Sequence, residues 1–465
     1  MASSAKARSP TTQSPKTQSP KTRSAKSRPA KRRPGGRVSC AEDWAFHATN
    51  SAVFEALARR SHGESLREFF GTAAYEELSV LASAARRVRT SGGPRVLVIP
   101  GMMGSRLCDL SAATNPRGRG RGRMLWIDPA SIAGGRLTDL ALPSRRTIRV
   151  RGVLLSSYAR LKLKLAIEGW DARFFAYDWR LGIDEIGASL AAAIAAAGKP
   201  AVLIAHSMGA LAARVAVKRL PKRAVRRLIM LGAPNNGSLA PVLALRGTYP
   251  FVRKLARLDL RHSPDYLAAE VFSGFPGIYH MLPPRADSGS SLDLLDPSSW
   301  PSDGVRPRPE LLARVAAARA GMAEPDARMV QIVGVNRQTV VSVRRTPAGF
   351  EYGSTPHGDG TVPLAMAEVP GLESFYVEES HGNLASSPRI VDAIIDLIRA
   401  GTTRGLAGRC APKPVPERRI DDVQLRAADA AKIDWRRLDS AQREAVMADL
   451  DGPDEATPGS AASLA

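Results

Sequence analysis

Ser207 stands in the middle of Ala205-His206-Ser207-Met208-Gly209, directly after the apolar run Ala201-Val202-Leu203-Ile204 and directly before a helical pattern from Leu211 to Arg219. A strand, a tight turn and a helix with a serine at the apex lift a hydroxyl clear of a parallel sheet, where it can attack a carbonyl carbon. The small residues at 205 and 209 serve geometry, letting strand and helix approach while the serine takes a strained backbone. Alanine stands at the first position, where the common pattern has glycine. Taken alone, such a pentapeptide fits an ordinary turn as well as a nucleophile, so the partners decide. A serine hydroxyl needs a histidine to take its proton, and that histidine needs an acid to hold its tautomer.

The chain has seven histidines, and His280, His357 and His381 come late enough to follow both the serine and an acid. His381 lies in Glu379-Ser380-His381-Gly382-Asn383-Leu384, between a strand pattern at 374–377 and a helix opened by Ser387 and Pro388. His357 reads as a loop residue or a prop for the neighbouring turn, and His206 as a support for the elbow. Upstream, Gly358-Asp359-Gly360-Thr361-Val362-Pro363 sets a carboxylate between glycines that permit a sharp loop. Asp359 by itself is also a plain Asp-Gly turn. Together, Ser207, Asp359 and His381 fall in the order Ser, Asp, His, each at a strand end, and predict a nucleophilic relay. The oxyanion formed on attack needs donors, and the reading assigns them to the Met208 N–H and to the Met102 N–H in Pro100-Gly101-Met102-Met103-Gly104-Ser105. That glycine turn lacks the Gly-Lys-Ser/Thr or Gly-x-Gly-x-x-Gly continuation of a phosphate cradle.

The elements that must position these groups are visible as short apolar runs alternating with amphipathic segments. Strands are predicted at 95–99, 172–177, 201–205, 226–231, 329–335 and 374–378, and helices at 158–168, 184–197, 208–219 and 389–399. This is an α/β pattern, a mainly parallel central sheet flanked by helices. Asp178 and Arg180, at the end of the second strand, read as an ion pair bracing neighbouring loops. The loop 231–238 reads as a pocket wall or as a simple Pro-Asn-Gly turn. The stretch 239–327 lacks strand alternation and suits a cap over the site, with 106–157 as its other half.

Five motifs then resemble, in order, those of the lecithin:cholesterol acyltransferase-like α/β-hydrolases: Pro100 to Ser105, Tyr177-Asp178-Trp179-Arg180, His206 to Gly209, Gly358 to Pro363, and His381. The likeness spans about residues 94–400. It implies an α/β-hydrolase fold with a cap built from insertions, a triad of Ser207, Asp359 and His381, and an oxyanion hole at Met102 and Met208; with no cluster of His, Cys or carboxylates in the sequence, no metal or cofactor is expected. It also implies a lipid acyl ester as substrate, handled through an acyl-serine by a hydrolase or an O-acyltransferase. Met124 to Pro129 is similar to the family's lid segment, which makes Trp126 a substrate or lid residue. Where animal members close that lid with a disulfide, this chain has only Cys108 nearby. Phe275 to Pro283 is similar to a cap segment in which Tyr279 and Met281 are packing residues. The competing class is a non-catalytic hydrolase-fold protein that binds polyanions or anionic membrane through a basic arm.

That arm is residues 1–38, Ser/Pro/Lys pentads with 11 Lys or Arg and no acid; without it the formal charge of +23 falls to +12. Such a stretch buries no core and is expected to be disordered, making at most a weak polyanion or anionic-membrane contact. No base-reading motif accompanies it, so specific nucleic-acid binding is not expected. Pro116 to Arg123 adds a second basic loop within the lid region. The expected organisation is 1–38 tail, 39–93 helical segment, 94–400 catalytic domain with cap insertions at about 106–157 and 239–327, and 401–465 C-terminal appendage. With no signal-like apolar stretch, no span of ~18 apolar residues, and Cys40, Cys108 and Cys410 scattered, the expectation is a cytoplasmic protein with reduced thiols and no transmembrane segment.

Overall fold

A computed structural model describes residues 44–111, 122–284, 292–427 and 431–451. The basic arm, most of the loop 116–123, Cys40 and the acidic end after 451 therefore lie outside the described residues.

The strands, in chain order, are β1 (Arg95–Ile99), β2 (Ser105–Asp109), β3 (Arg123–Trp126), β4 (Ile148–Val153), β5 (Asp171–Phe174), β6 (Ala201–His206), β7 (Val225–Leu231), β8 (Met329–Gly334), β9 (Thr339–Thr346), β10 (Gly349–Thr355), β11 (Glu373–Val377) and β12 (Arg418–Asp421). Six of them form one parallel sheet in the order β11-β8-β7-β6-β1-β5. Every residue of β6 and β8 is buried, which is why these strands read as continuous apolar runs rather than alternating ones.

The strand order reverses between β1 and β6. From β1 the chain steps outward to β5, then crosses back over β1 to β6 and on to β7, β8 and β11. Right-handed crossovers then put the helix Leu155–Ile167 on one face and the helices Ile183–Ala197 and Met208–Arg219 on the other. The contacts agree: 155–167 packs against Pro388–Ala400 and Thr72–Arg86, and 183–197 against 208–219. At such a reversal the loops leaving the carboxyl ends of the two strands part, and a crevice opens between them. The loop after β1 begins Pro100-Gly101-Met102, and the turn after β6 carries Ser207.

Six predicted strands and four predicted helices lie where expected, with ends shifted by a few residues. Two further antiparallel sheets were not foreseen, β3-β2-β4 and β12-β10-β9. The first fills the insertion 106–157. In the second, the hairpin β9-β10 is inserted between β8 and the Asp359 turn, and the chain returns through a bridge of Arg337 with Asp359. The described part of 239–327 holds short helices and no strand.

The C-terminal stretch, expected as an appendage, is instead bound into the fold. β12 pairs with β10, and Asp422, fully buried, accepts from Arg246 Nε at 2.9 Å, the Tyr352 hydroxyl at 2.7 Å and the Phe350 N–H at 3.1 Å. Arg246 is fully buried as well, and its remaining carboxylate partner, Asp303, is half exposed. Removing one member of a buried pair strands the other charge without adequate solvation. Asp422→Ala is therefore expected to lower unfolding stability by about 3–5 kcal/mol, read as a fall in the urea midpoint. A loss below about 1 kcal/mol would mean that solvent reaches the cluster.

Candidate active site

Ser207 has φ 53° and ψ −129°, a conformation rare for residues other than glycine. Holding it costs about 1–3 kcal/mol, supplied by the buried ends of β6 and the following helix. The Ser207 N–H donates to the Leu231 carbonyl at 2.9 Å, tying the elbow to β7. Its hydroxyl oxygen lies 2.9 Å from His381 Nε2, and His381 Nδ1 lies 2.7 Å from Asp359 Oδ2. Because a carboxylate only accepts, Nδ1 carries the proton, which leaves the Nε2 lone pair facing the serine. Asp359 is 2% exposed, and its other oxygen accepts from the N–H groups of Thr361 at 3.0 Å and Val362 at 2.7 Å. The His381 N–H donates to the Asp359 carbonyl at 2.8 Å, so backbone as well as side chain joins the two loops.

Three residues that are distant in sequence thus meet at the carboxyl edge of the central sheet. The space they occupy depends on two glycines, Gly232 in the loop expected as a pocket wall and Gly334 at the end of β8, whose lack of a side chain was not singled out in the sequence. A Cβ on Gly232, whose φ is +54°, would lie 3.0 Å from Asp359 Oδ2 and 3.1 Å from His381 Nδ1; one on Gly334 would lie 2.5 Å from Asp359 Cβ. Any side chain at either position would displace the carboxylate or the ring.

His206 does more than pack. It is buried, and its Nε2–H donates to the His381 carbonyl at 2.9 Å. Its Nδ1 accepts from the Tyr158 hydroxyl at 2.9 Å, and that oxygen accepts from the Gly101 N–H at 3.0 Å. Burial, with His381 beside it, pushes the His206 pKa down to about 3, so the ring stays neutral and keeps this pattern of one donor and one acceptor. The chain of bonds links the loop after β1 to the His381 loop, and Tyr158 was not singled out in the sequence.

The Pro100–Ser105 loop is fastened from the other side by the Tyr177-Asp178-Trp179-Arg180 segment. The Tyr177 hydroxyl donates to the Pro100 carbonyl at 2.6 Å and Trp179 Nε1 to the Ser105 carbonyl at 2.8 Å. Arg180 grips Asp178 through two bonds, at 2.9 and 2.6 Å, and reaches the Leu140 carbonyl at 3.0 Å. The expected brace is there, but the aromatic residues hold the loop. The Met208 N–H opens the helix 208–219, where the first N–H groups have no intrahelical partner. The Met102 N–H has no hydrogen-bond partner among the described residues.

A cavity of about 240 Å³ opens beside Ser207 and His381. Its walls include Met102, Trp126, Phe251, Phe272 and Met281, and no Lys or Arg lines it among the described residues. Trp126 is buried, donating from Nε1 to the Met103 carbonyl at 2.6 Å and standing edge-on to Trp179 and Phe251. Met281, expected only to pack, forms part of this wall, whereas Tyr279 is buried and donates to the Ser273 carbonyl at 2.8 Å. In the loop 231–238, Pro234 and Ser238 line the cavity. His357 is turned away, its Nε2 bonded to the Lys413 carbonyl at 2.9 Å, and His280 is buried without touching the cavity. Among the described residues no helix is long and apolar enough to cross a membrane.

Residues 169–310 match the family model described as lecithin:cholesterol acyltransferase. Among solved structures, the chain is similar to Bacillus licheniformis lipase BlEst2 in mature form, at 14% identity over 68% of this chain and 95% of that one, with a TM-score of 0.33. It is similar to the Tle4–Tli4 complex at 12% identity over 64% and 96% of the two chains, TM-score 0.36. Phospholipase PlaB from Legionella pneumophila is similar at 12% identity over 59% and 45%, TM-score 0.25. No curated protein matches the chain. The matched stretch runs from β5 through the elbow into the helices after β7, so in this part of the chain, with its elbow on a parallel sheet at the point of reversal, the protein is similar to the lecithin:cholesterol acyltransferase family.

Proposed function

We propose that the chain is a lipid acyl-ester hydrolase or O-acyltransferase working through an acyl intermediate on Ser207. The observation that carries this reading is the continuous relay from Ser207 Oγ to His381 at 2.9 Å and on to Asp359 at 2.7 Å. In the proposed reaction His381 Nε2 takes the hydroxyl proton as Ser207 Oγ bonds to the ester carbonyl carbon. Negative charge gathers on the carbonyl oxygen, for which the N–H groups of Met102 and Met208 are the donors. Collapse breaks the bond to the leaving alkoxide, which takes the proton from His381 and departs as an alcohol. Water or a second alcohol then repeats the cycle in reverse, with His381 as base, releasing a free acid or a new ester. Asp359 keeps the imidazole in the needed tautomer and stabilises the imidazolium throughout.

A largely apolar, aromatic-walled cavity beside the serine, with no Lys or Arg among its described lining residues, supports an acyl chain rather than a phosphate in that space. In this reading the chemistry belongs to residues 94–400, with Trp126 as a substrate or lid residue, and a weak contact of residues 1–38 with anionic lipid is part of the same proposal. The test has two arms. A fluorophosphonate probe should label Ser207 in the folded protein. Incubation with phospholipids and simple esters, with and without a lipid alcohol, should release acid or form new ester, and which of the two dominates names the activity. Absence of labelling at Ser207 would overturn the reading. Labelling without turnover of any lipid ester would leave serine chemistry and remove the lipid assignment.

A further inference from the structure

Leu450, on the last helix Ser440–Asp451, lies in the wall of the cavity that Ser207 and His381 line. Val446, Met447 and Leu450 are buried together, the spacing of a single helix face. That face is pressed inward by polar anchors on both flanks. On one, Lys254 donates to the Asp449 carbonyl at 2.7 Å and pairs with its carboxylate at 3.6 Å. Lys254 belongs to the helix Pro250–Leu258, whose Phe251 and Val252 line the same cavity. On the other, Arg443 stands 3.6 Å from Glu68, and Glu444 accepts from the Thr72 N–H at 3.0 Å. The approach to the helix is fastened too: Trp435 is buried edge-on to Phe46, and the Lys432 ammonium donates to the carbonyls of Ala256, Asp259 and His262 at 2.6–2.8 Å.

The cavity volume of about 240 Å³ falls below the ~300–1,000 Å³ of pockets for drug-sized ligands. With no cation in its described walls, it suits one uncharged acyl chain and not a whole diacyl lipid with its headgroup. We infer that Leu450 is a specificity-determining residue, closing the cap-side wall of the acyl cavity and limiting the length of chain that can be presented to Ser207. This rests on the acyl-serine reading above.

The test uses the full chain and p-nitrophenyl esters of graded length, from acetate to palmitate, with Leu450→Ala and Leu450→Trp beside the wild type. In the wild type kcat/KM should fall beyond a certain length. Alanine should move that fall to longer esters and tryptophan to shorter ones, so that the ratio of long- to short-ester kcat/KM changes by roughly tenfold or more in opposite directions. Fluorophosphonate labelling of Ser207, read separately, reports whether each variant keeps its fold. If one does not, Leu450→Met and Leu450→Phe carry the same comparison with smaller changes in volume. Full labelling with an unchanged length profile in both directions would overturn the role of Leu450 alone. Failure of the wild type to turn over any of these esters would overturn this inference, and failure to take the fluorophosphonate label as well would sink the acyl-serine reading on which it rests.

Discussion

Replacing Ser207 by alanine is expected to lower kcat for ester turnover by about 10⁶-fold, and adding His381→Ala to it should cost almost nothing more. The reason is that serine and histidine act as one proton-transfer unit. Once the hydroxyl is gone there is nothing for Nε2 to deprotonate at 2.9 Å, so the second loss removes no further stabilisation of the transition state. A residual rate of ~10³–10⁴ over water should survive both changes, because the oxyanion donors and the cavity are untouched. The measurement is a double-mutant cycle on steady-state rates. Two large, independent, multiplying losses would show that His381 does not act through Ser207.

Asp359→Asn should cost about 10⁴-fold in kcat while leaving the fold intact, and the structure says why the near-identical shape fails. Oδ1 of Asp359 accepts from two backbone N–H groups, those of Thr361 and Val362. An asparagine must therefore turn its carbonyl oxygen toward them, which aims its NH₂ at His381 Nδ1. The ring can accept that bond only by carrying its proton on Nε2 instead, so it presents a donor to Ser207 where a base is required. Thermal melting near that of the wild type, beside the collapse in rate, is the expected pair of results. A rate within tenfold of the wild type would mean that the imidazole is oriented by its backbone bond to Asp359 alone.

Much of this arrangement was legible beforehand because its signals are local. β1, β6, β7 and β8 each hold a short, mainly apolar run, since a parallel strand buried on both faces has no reason to alternate. The elbow is written in five consecutive residues, and the helix caps around 387–388 mark where the His381 loop ends. The antiparallel sheets were not legible. β12 pairs with a strand more than 60 residues earlier, and β2, β3 and β4 are short segments interrupted by charged residues, some of them buried as Arg106 and Asp109 are, so they read as loop. Nor could the sequence reveal that Tyr158 bridges His206 to Gly101, because a tyrosine inside an amphipathic helix looks like any other core residue.

By itself the sequence determined the kinds of group available and the strand ends that carry them: a serine on an elbow, an aspartate between glycines and a histidine before a helix. Only the tertiary structure decided that the three share one hydrogen-bonded line, that Gly232 and Gly334 must lack side chains for the line to fit, and that a tail read as an appendage supplies Leu450 to the cavity wall. The difference is one of range. Backbone propensity and burial pattern act between neighbours along the chain, whereas empty space and bond geometry are set by atoms that meet only when distant segments pack.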